Sequence, residues 1–247
     1  MFQTTKGLIL REVRYKEADR ILTILTESEG KLSAKARGAL RKSSRTGAAT
    51  QMLTWSDLTL FNNRGKWQVN EGSVIEGFPG LREDIARLAL GSYFSECLDA
   101  FSAEEQPEPA LLQLGLNSLY ALSRGLREPV LLKAAFELRL MAVAGFEPNV
   151  QRCVFCGKTE PEEPCLGIEN GGLCCRACRK ADFGLTAALD ADALKALRYV
   201  LSAPARQLFS FRLEGKSLKR LSDASEQYLR EHAERGFATL DYWKKVR

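Results

Sequence analysis

The sequence predicts a multidomain α+β chain: a small five-stranded barrel, then an α-helical domain interrupted by a cysteine-rich module. Three observations carry this. Residues 1–79 hold short branched and apolar runs separated by turn signals, with no helical stretch between them. From Leu81 onward the apolar spacing changes to the helical period. Two C-x2-C pairs, at Cys153/Cys156 and Cys175/Cys178, fall late in the chain with 18 residues between them.

The strands come first. Gly7–Tyr15 and Ile21–Thr26 are rich in branched and apolar residues, and Glu27–Gly30 is a turn signal. Lys31–Gly38 alternates apolar and polar residues. Leu53–Phe61 and Lys66–Val69 flank Asn62–Gly65, a hairpin loop with Gly near its end, and Val74–Phe78 finishes the last strand. The break at Ala39–Thr50 is longer than the others. It is basic and rich in Ser, Thr, Gly and Ala, so it is expected to be mobile. A five-stranded barrel with a long basic loop between its third and fourth strands suits the OB-fold. Pro79-Gly80 ends the strand region, which sets the expected domains at 1–79 and 80–247.

The helices follow. Leu81–Phe101 presents Ile85, Leu88, Ala89, Tyr93, Cys97, Leu98 and Phe101 at helical spacing, and Gln106–Pro109 breaks it. Ala110–Leu122 and Pro129–Ala144 are the next two helices. Pro129 fits a first-turn position, and Gly145 and Pro148 close that helix. Residues 150–184 are rich in Cys, Gly and Pro and form the module. Ala187–Leu201 and Leu218–Ala233 are the last expected helices.

Hydrophobic residues make up 45% and charged residues 27% of the 247, an ordinary globular balance that excludes wholesale disorder. No apolar run reaches the ~18 residues of a membrane span, and Met1–Leu10 carries no signal-peptide pattern. The expected location is therefore cytoplasmic. The net charge is +5, and all of that excess lies in residues 1–80, which carry 13 basic and 8 acidic residues. Within positions 30–56 stand Lys31, Lys35, Arg37, Arg41, Lys42 and Arg45, with no Asp or Glu. Such a stretch beside a neutral remainder is a candidate polyanion footprint, and a solvated basic loop is the plainer reading. Trp67 and Tyr15 stand next to charged residues and are the candidates for stacking on nucleic-acid bases, against the plainer reading of barrel core.

Each C-x2-C pair lets two sulfurs converge on one metal, and Gly157 and Gly171-Gly172 free the backbone to turn around it. Four thiolates at Cys153, Cys156, Cys175 and Cys178 fill a tetrahedron and leave no position for water, so one zinc ion there is structural. An iron–sulfur cluster is the lesser metal alternative. A redox C-x2-C is disfavoured, because neither pair sits between a strand and a helix. Cys174 stands beside Cys175 and offers an alternative C-x3-C spacing. Cys165 is spare, and Cys97 reads as a small buried hydrophobe.

Catalytic signals fail. Gly157-Lys158-Thr159 mimics the end of a phosphate-binding loop, but Arg152 stands where its first Gly is needed. No nucleotide cofactor is expected. His232 is the single histidine, between Glu231 and Glu234, and reads as a solvated surface residue. The chain is not expected to be an enzyme.

With these pieces assembled, the chain resembles the bacterial recombination mediator family RecO over nearly its whole length. Thr5-Lys6-Gly7-Leu8-Ile9-Leu10, then Tyr15-Lys16-Glu17-Ala18-Asp19-Arg20, then Leu25-Thr26 followed by Gly30, look like that family's opening pattern. Ala36-Arg37-Gly38-Ala39-Leu40-Arg41 looks like its basic segment, and the Cys153–Cys178 spacing matches its zinc knuckle apart from the extra Cys174. The resemblance implies an N-terminal OB-fold that binds DNA and a helical domain around a four-cysteine zinc module. It implies binding to single- and double-stranded DNA, annealing of complementary strands without ATP, and help in loading RecA onto coated single strands. Implied partners are RecR and the acidic, Phe-ended tail of single-strand binding protein, and the implied location is at the nucleoid. A site for that tail needs an apolar pocket rimmed by cations, with Arg206, Arg212, Lys216, Lys219 and Arg220 as candidates. Two other classes stay open: a zinc-stabilised adaptor with incidental DNA contact, and a zinc enzyme, which would need an open coordination position.

Overall fold

The structure, a computed structural model, describes all residues from Met1 to Arg247. They form two compact units: Met1–Arg124 with Phe237–Arg247, and Gly125–Gly236.

The first unit holds the barrel: β1 (Phe2–Tyr15), β2 (Asp19–Thr26), β3 (Gly30–Ala36), β4 (Trp55–Asn63) and β5 (Lys66–Glu76). They close in the order β1-β2-β3-β5-β4, with β4 returning to β1. β1 is long enough to pair twice, through Phe2–Leu8 with β4 and through Gly7–Tyr15 with β2. All these pairings are antiparallel except the closure, where β3 lies parallel to β5: Ala34 opposite Trp67, Lys35 opposite Gln68, Ala36 opposite Val69. Strand alternation sends Leu32, Ala34 and Ala36 inward beside Ile9, Leu22, Ile24, Leu58, Leu60 and Val69. The five-stranded barrel, the helices after it and the α+β class are as the sequence predicts.

β1, β2 and β5 are longer than expected. β1 starts at Phe2 because its polar residues alternate: Thr5 and Gly7 are buried while Thr4 and Lys6 face water. β5 runs unbroken from Lys66 to Glu76, joining the expected Lys66–Val69 run to the expected Val74–Phe78 end of the last strand. Its Asn70-Glu71 pair looks like a break in sequence, but β3 leaves β5 after Val69, and those residues are exposed. The Ala39–Thr50 loop, expected to be mobile, is folded. Ala39 and Ala49 join the barrel core, and Thr50 is fully buried. Successive turns carry it: Arg41 N–H donates to Gly38 O at 3.0 Å, Ser44 N–H to Arg41 O at 2.9 Å, and Thr50 N–H to Thr46 O at 3.1 Å. The small side chains that signal flexibility are the ones that let the loop pack closely.

The helices are α1 (Ile85–Phe101), α2 (Pro109–Ser123), α3 (Pro129–Val143), α4 (Ala191–Ser202), α5 (Gly215–Ala233) and α6 (Ala238–Val246). In the first unit, Asp84 caps α1 by accepting from the Ala86 and Arg87 amides, and Ser95 on α1 donates to Leu10 O of the barrel at 2.7 Å. Gly30 is obligatory: its φ is +67°, and a Cβ there would meet Gln106 O at 2.1 Å. α6 escaped the sequence reading because its nine residues show little more than two turns of pattern, yet Leu240 and Trp243 are buried. No helix is long and apolar enough to cross a membrane.

In the second unit, α3, α4 and α5 pack around an ion cluster. Lys133 and Glu137 of α3 are 1% and 0% exposed. The Lys133 ammonium lies 3.0 Å from Glu137 and 3.2 Å from Glu226 of α5, and Ser225 donates to Glu137 at 2.6 Å. The module adds a small sheet, β6 (Pro164–Gly167), β7 (Leu173–Cys175) and β8 (Thr186–Ala188), in the order β7-β6-β8. β8 occupies the expected start of α4, and Asp190 sets the true start by accepting from Ala193 N–H. Glu137→Ala leaves Lys133 buried with one carboxylate fewer and is expected to cost about 3 kcal/mol, read as a lower urea midpoint. Glu137→Gln, which keeps acceptors for Lys133 and Ser225, is expected to cost less.

Candidate functional site

Parallel closure of β3 on β5 shapes a cleft of about 640 Å³ on the barrel surface. Lys35 and Arg37 stand on one side, Lys66 and Trp67 on the other, with Phe61 and Asn63 from β4. Strand alternation points Ser33 and Lys35 away from the core, and the hairpin at Asn62–Gly65 delivers Lys66. Trp67 packs partly buried against the barrel core, and its indole N–H has no hydrogen-bond partner.

The six cations singled out in the sequence separate into three groups. Lys31 is held by Asp99, whose backbone O lies at 2.6 Å and whose carboxylate lies at 3.3 Å. It does not line the cleft. Lys35 pairs with Asp19 at 2.9 Å and lies 4.9 Å from the Tyr15 ring centroid. Arg37, Arg41, Lys42 and Arg45 are exposed and form no ion pair. Lys66, also exposed and unpaired, was missed in the sequence, as were Phe61 and Asn63. A cation next to a hairpin turn gives no signal until the partner strand is known. Phe2 stacks on Phe61 with centroids 4.9 Å apart. The Asp19 carboxyl is held below its usual 3.8 chiefly by the Gly38 N–H and then by Lys35. The stabilisation it brings is complete above that usual value and is lost as pH falls through the lowered one.

The second site is the thiol cluster. The sulfurs of Cys153, Cys156, Cys175 and Cys178 all lie within 4.8 Å of one another, and Cys156 and Cys175 are 3.6 Å apart. A tetrahedron with metal–sulfur bonds of about 2.3 Å has sulfur–sulfur edges of about 3.8 Å, so these residues fit a metal ion. Burial pushes the Cys153 thiol up, but the amides of Cys156, Cys175 and Phe155 outweigh it and hold the group at about 6. Burial first, and then the neighbouring sulfurs, push Cys175 up. The Cys153 thiolate is favoured while Cys175 and Cys178 resist ionising, a conflict that a bound cation removes. Cys174 faces Cys165 across β6–β7, outside this group. Burial pushes Cys174 up to about 12 and raises Cys165. Alternation along β7 explains why Cys175 points to the cluster and Cys174 does not. Cys97 is fully buried in α1. His232, expected in solvent, is half-buried, its ring 4.2 Å from that of Tyr228.

A groove of about 530 Å³ on the second unit is lined by Tyr199, Phe211 and Leu213, with Lys195 and Arg212 beside Asp192 and Glu214. Of the rim candidates, Arg212 lines it, and Arg220 instead pairs with Asp190 at 3.1 Å.

A family model described as Recombination protein O N terminal matches residues 1–78, and one described as Recombination protein O C terminal matches residues 82–241. The chain belongs to the RecO family. It is 36% identical over 242 residues to a protein of Acetivibrio thermocellus named DNA repair protein RecO, covering 98% of this chain and 96% of the relative. Proteins of the same name from Symbiobacterium thermophilum and Alkaliphilus metalliredigens are 32% and 30% identical, over 98% and 100% of this chain and 96% and 100% of theirs. The two RecO models meet between Phe78 and Arg82, just after β5 ends.

Titrated with Co²⁺ under reducing conditions, the chain is expected to take up one equivalent with the charge-transfer absorption of four thiolates. Cys174→Ser is expected to leave that stoichiometry and spectrum unchanged. Cys178→Ala is expected to lose the four-thiolate spectrum.

Proposed function

We propose that this chain is a DNA-binding mediator of recombinational repair, with the barrel, residues 1–79, as its nucleic-acid-binding domain. The observation that carries this is a set of exposed cations that form no ion pair. Arg37, Arg41, Lys42 and Arg45 run along one ordered loop, and Lys66 stands across the cleft. Family membership supports the repair role. A phosphate backbone laid along these residues releases counterions, which favours binding without reading sequence. Phe61 and Phe2 offer an aromatic edge at the cleft on which bases can stack. Trp67 contributes as a wall of that cleft.

Annealing follows from the same surface. Two complementary strands repel each other, and a cation-dense face lowers that repulsion without ATP. In this reading the protein acts on both single- and double-stranded DNA, works with RecR, and helps load RecA at the nucleoid in the cytoplasm. The Phe-ended tail of single-strand binding protein, acidic along its length, fits the Tyr199/Phe211 groove through its apolar end, with Lys195 and Arg212 standing beside Asp192 and Glu214 on the rim. Cys153, Cys156, Cys175 and Cys178 hold one structural zinc. Its chemistry is to neutralise and fix four thiolates, and a filled tetrahedron gives a reaction no open position, which supports a non-enzymatic role.

The test is binding of a labelled single-stranded oligonucleotide across a salt series. If the five unpaired cations contact phosphates, the slope of log K against log salt is about −3.5. Arg37→Glu/Arg41→Glu/Arg45→Glu is expected to reduce the slope to about −1.4 or less and to weaken binding strongly. An unchanged slope and affinity would overturn the assignment and favour the adaptor reading.

A further inference from the structure

The basic loop leaves β3 after Ala36 and re-enters the barrel at β4, and at both ends it is tied to the β1–β2 hairpin. At the entry, Gly38 N–H donates to the Asp19 carboxylate at 2.8 Å and Leu40 N–H to Ala18 O at 2.9 Å. Gly38 has a φ of +65°, which turns the chain back toward the hairpin there. At the exit, the Arg20 guanidinium donates to Gly47 O at 2.9 Å and to Thr50 Oγ1 at 3.1 Å. Glu12 lies 3.7 Å from the same guanidinium nitrogen and accepts the Met52 amide at 2.9 Å. Arg20 is 9% exposed and does not line the cleft, so it touches the loop and not a ligand lying in the cleft.

We propose that Asp19, Arg20 and Glu12 form a latch that fixes the shape of the basic loop before nucleic acid arrives, making Arg20 and Glu12 positioning residues for binding. The inference rests on the DNA-binding reading above. Its physical basis is entropy. A free loop of this length would lose backbone freedom when its cations settled on phosphates, and that loss weakens binding. The latch meets that cost during folding, so Arg41, Lys42 and Arg45 meet the ligand already placed. Releasing it through Glu12 leaves every cation present and therefore acts on affinity through order and not through loss of positive charge.

Charge and order can be separated by sign. Glu12→Ala removes an acid beside a basic surface. Charge alone predicts tighter binding, and the latch predicts weaker binding by roughly tenfold. Arg20→Gln is the second variant, and Arg20→Lys restores a cation for Gly47 O and Thr50 Oγ1, which accept from one and the same guanidinium nitrogen. Three readouts are taken on the full chain: affinity for a single-stranded oligonucleotide, melting temperature, and the rate of trypsin cleavage after Arg41, Lys42 and Arg45. The expected result is faster cleavage at those sites and about tenfold weaker binding in Glu12→Ala and Arg20→Gln, with partial rescue in Arg20→Lys. A structural role alone would lower the melting temperature without weakening the binding of the folded protein. Tighter or unchanged binding in Glu12→Ala, or unchanged loop cleavage in either variant, would overturn the latch. If Arg37→Glu/Arg41→Glu/Arg45→Glu still loses binding in that case, the DNA-binding reading stands without the latch. If that variant also binds normally, both fall.

Discussion

Three residue pairs close the barrel: Ala34 with Trp67, Lys35 with Gln68, and Ala36 with Val69. The surface chemistry of the first unit depends on this short parallel contact. It places a strand that carries Lys35 and leads into Arg37 beside one that carries Lys66 and Trp67, segments separated by about thirty positions in sequence. Parallel strands cannot be joined by a tight turn. The chain between β3 and β5 therefore has to make a loop, a strand and a hairpin, and the loop is where the unpaired cations sit.

That loop shows how composition misleads about order. Small residues free the backbone, which argues for mobility, but they also let it pack. Ala39 and Ala49 enter the core because nothing larger projects from them. The Ser56 hydroxyl donates to Ala49 O at 2.8 Å, fixing the loop to β4. The outcome is a segment whose apolar residues and backbone are used for folding and whose long cations are left exposed.

The thiol cluster and the barrel were legible for different reasons. Two C-x2-C pairs constrain one another, so the four converging sulfurs could be read from spacing alone. The choice between Cys174 and Cys175 could not, because it depends on which face of β7 meets the cluster. The barrel showed in its strand periodicity, but its cleft did not: Lys66 and Phe61 acquire meaning only once β3 and β5 are known to be neighbours. Lys31 is the converse. It belongs to the same basic stretch as Arg37, yet the last turn of α1 brings Asp99 to it and ties it down. Sequence counts charges but does not show which have been matched.

The central claim is that nucleic acid lies along the β3–β5 cleft and the ordered basic loop. Amide hydrogen exchange of the full chain, with and without a single-stranded oligonucleotide, tests it most directly. The account predicts slowed exchange in peptides spanning 33–50 and 61–68, with the 150–184 module unaffected. Slowing confined to the helical elements, with the cleft and loop unchanged, would contradict it.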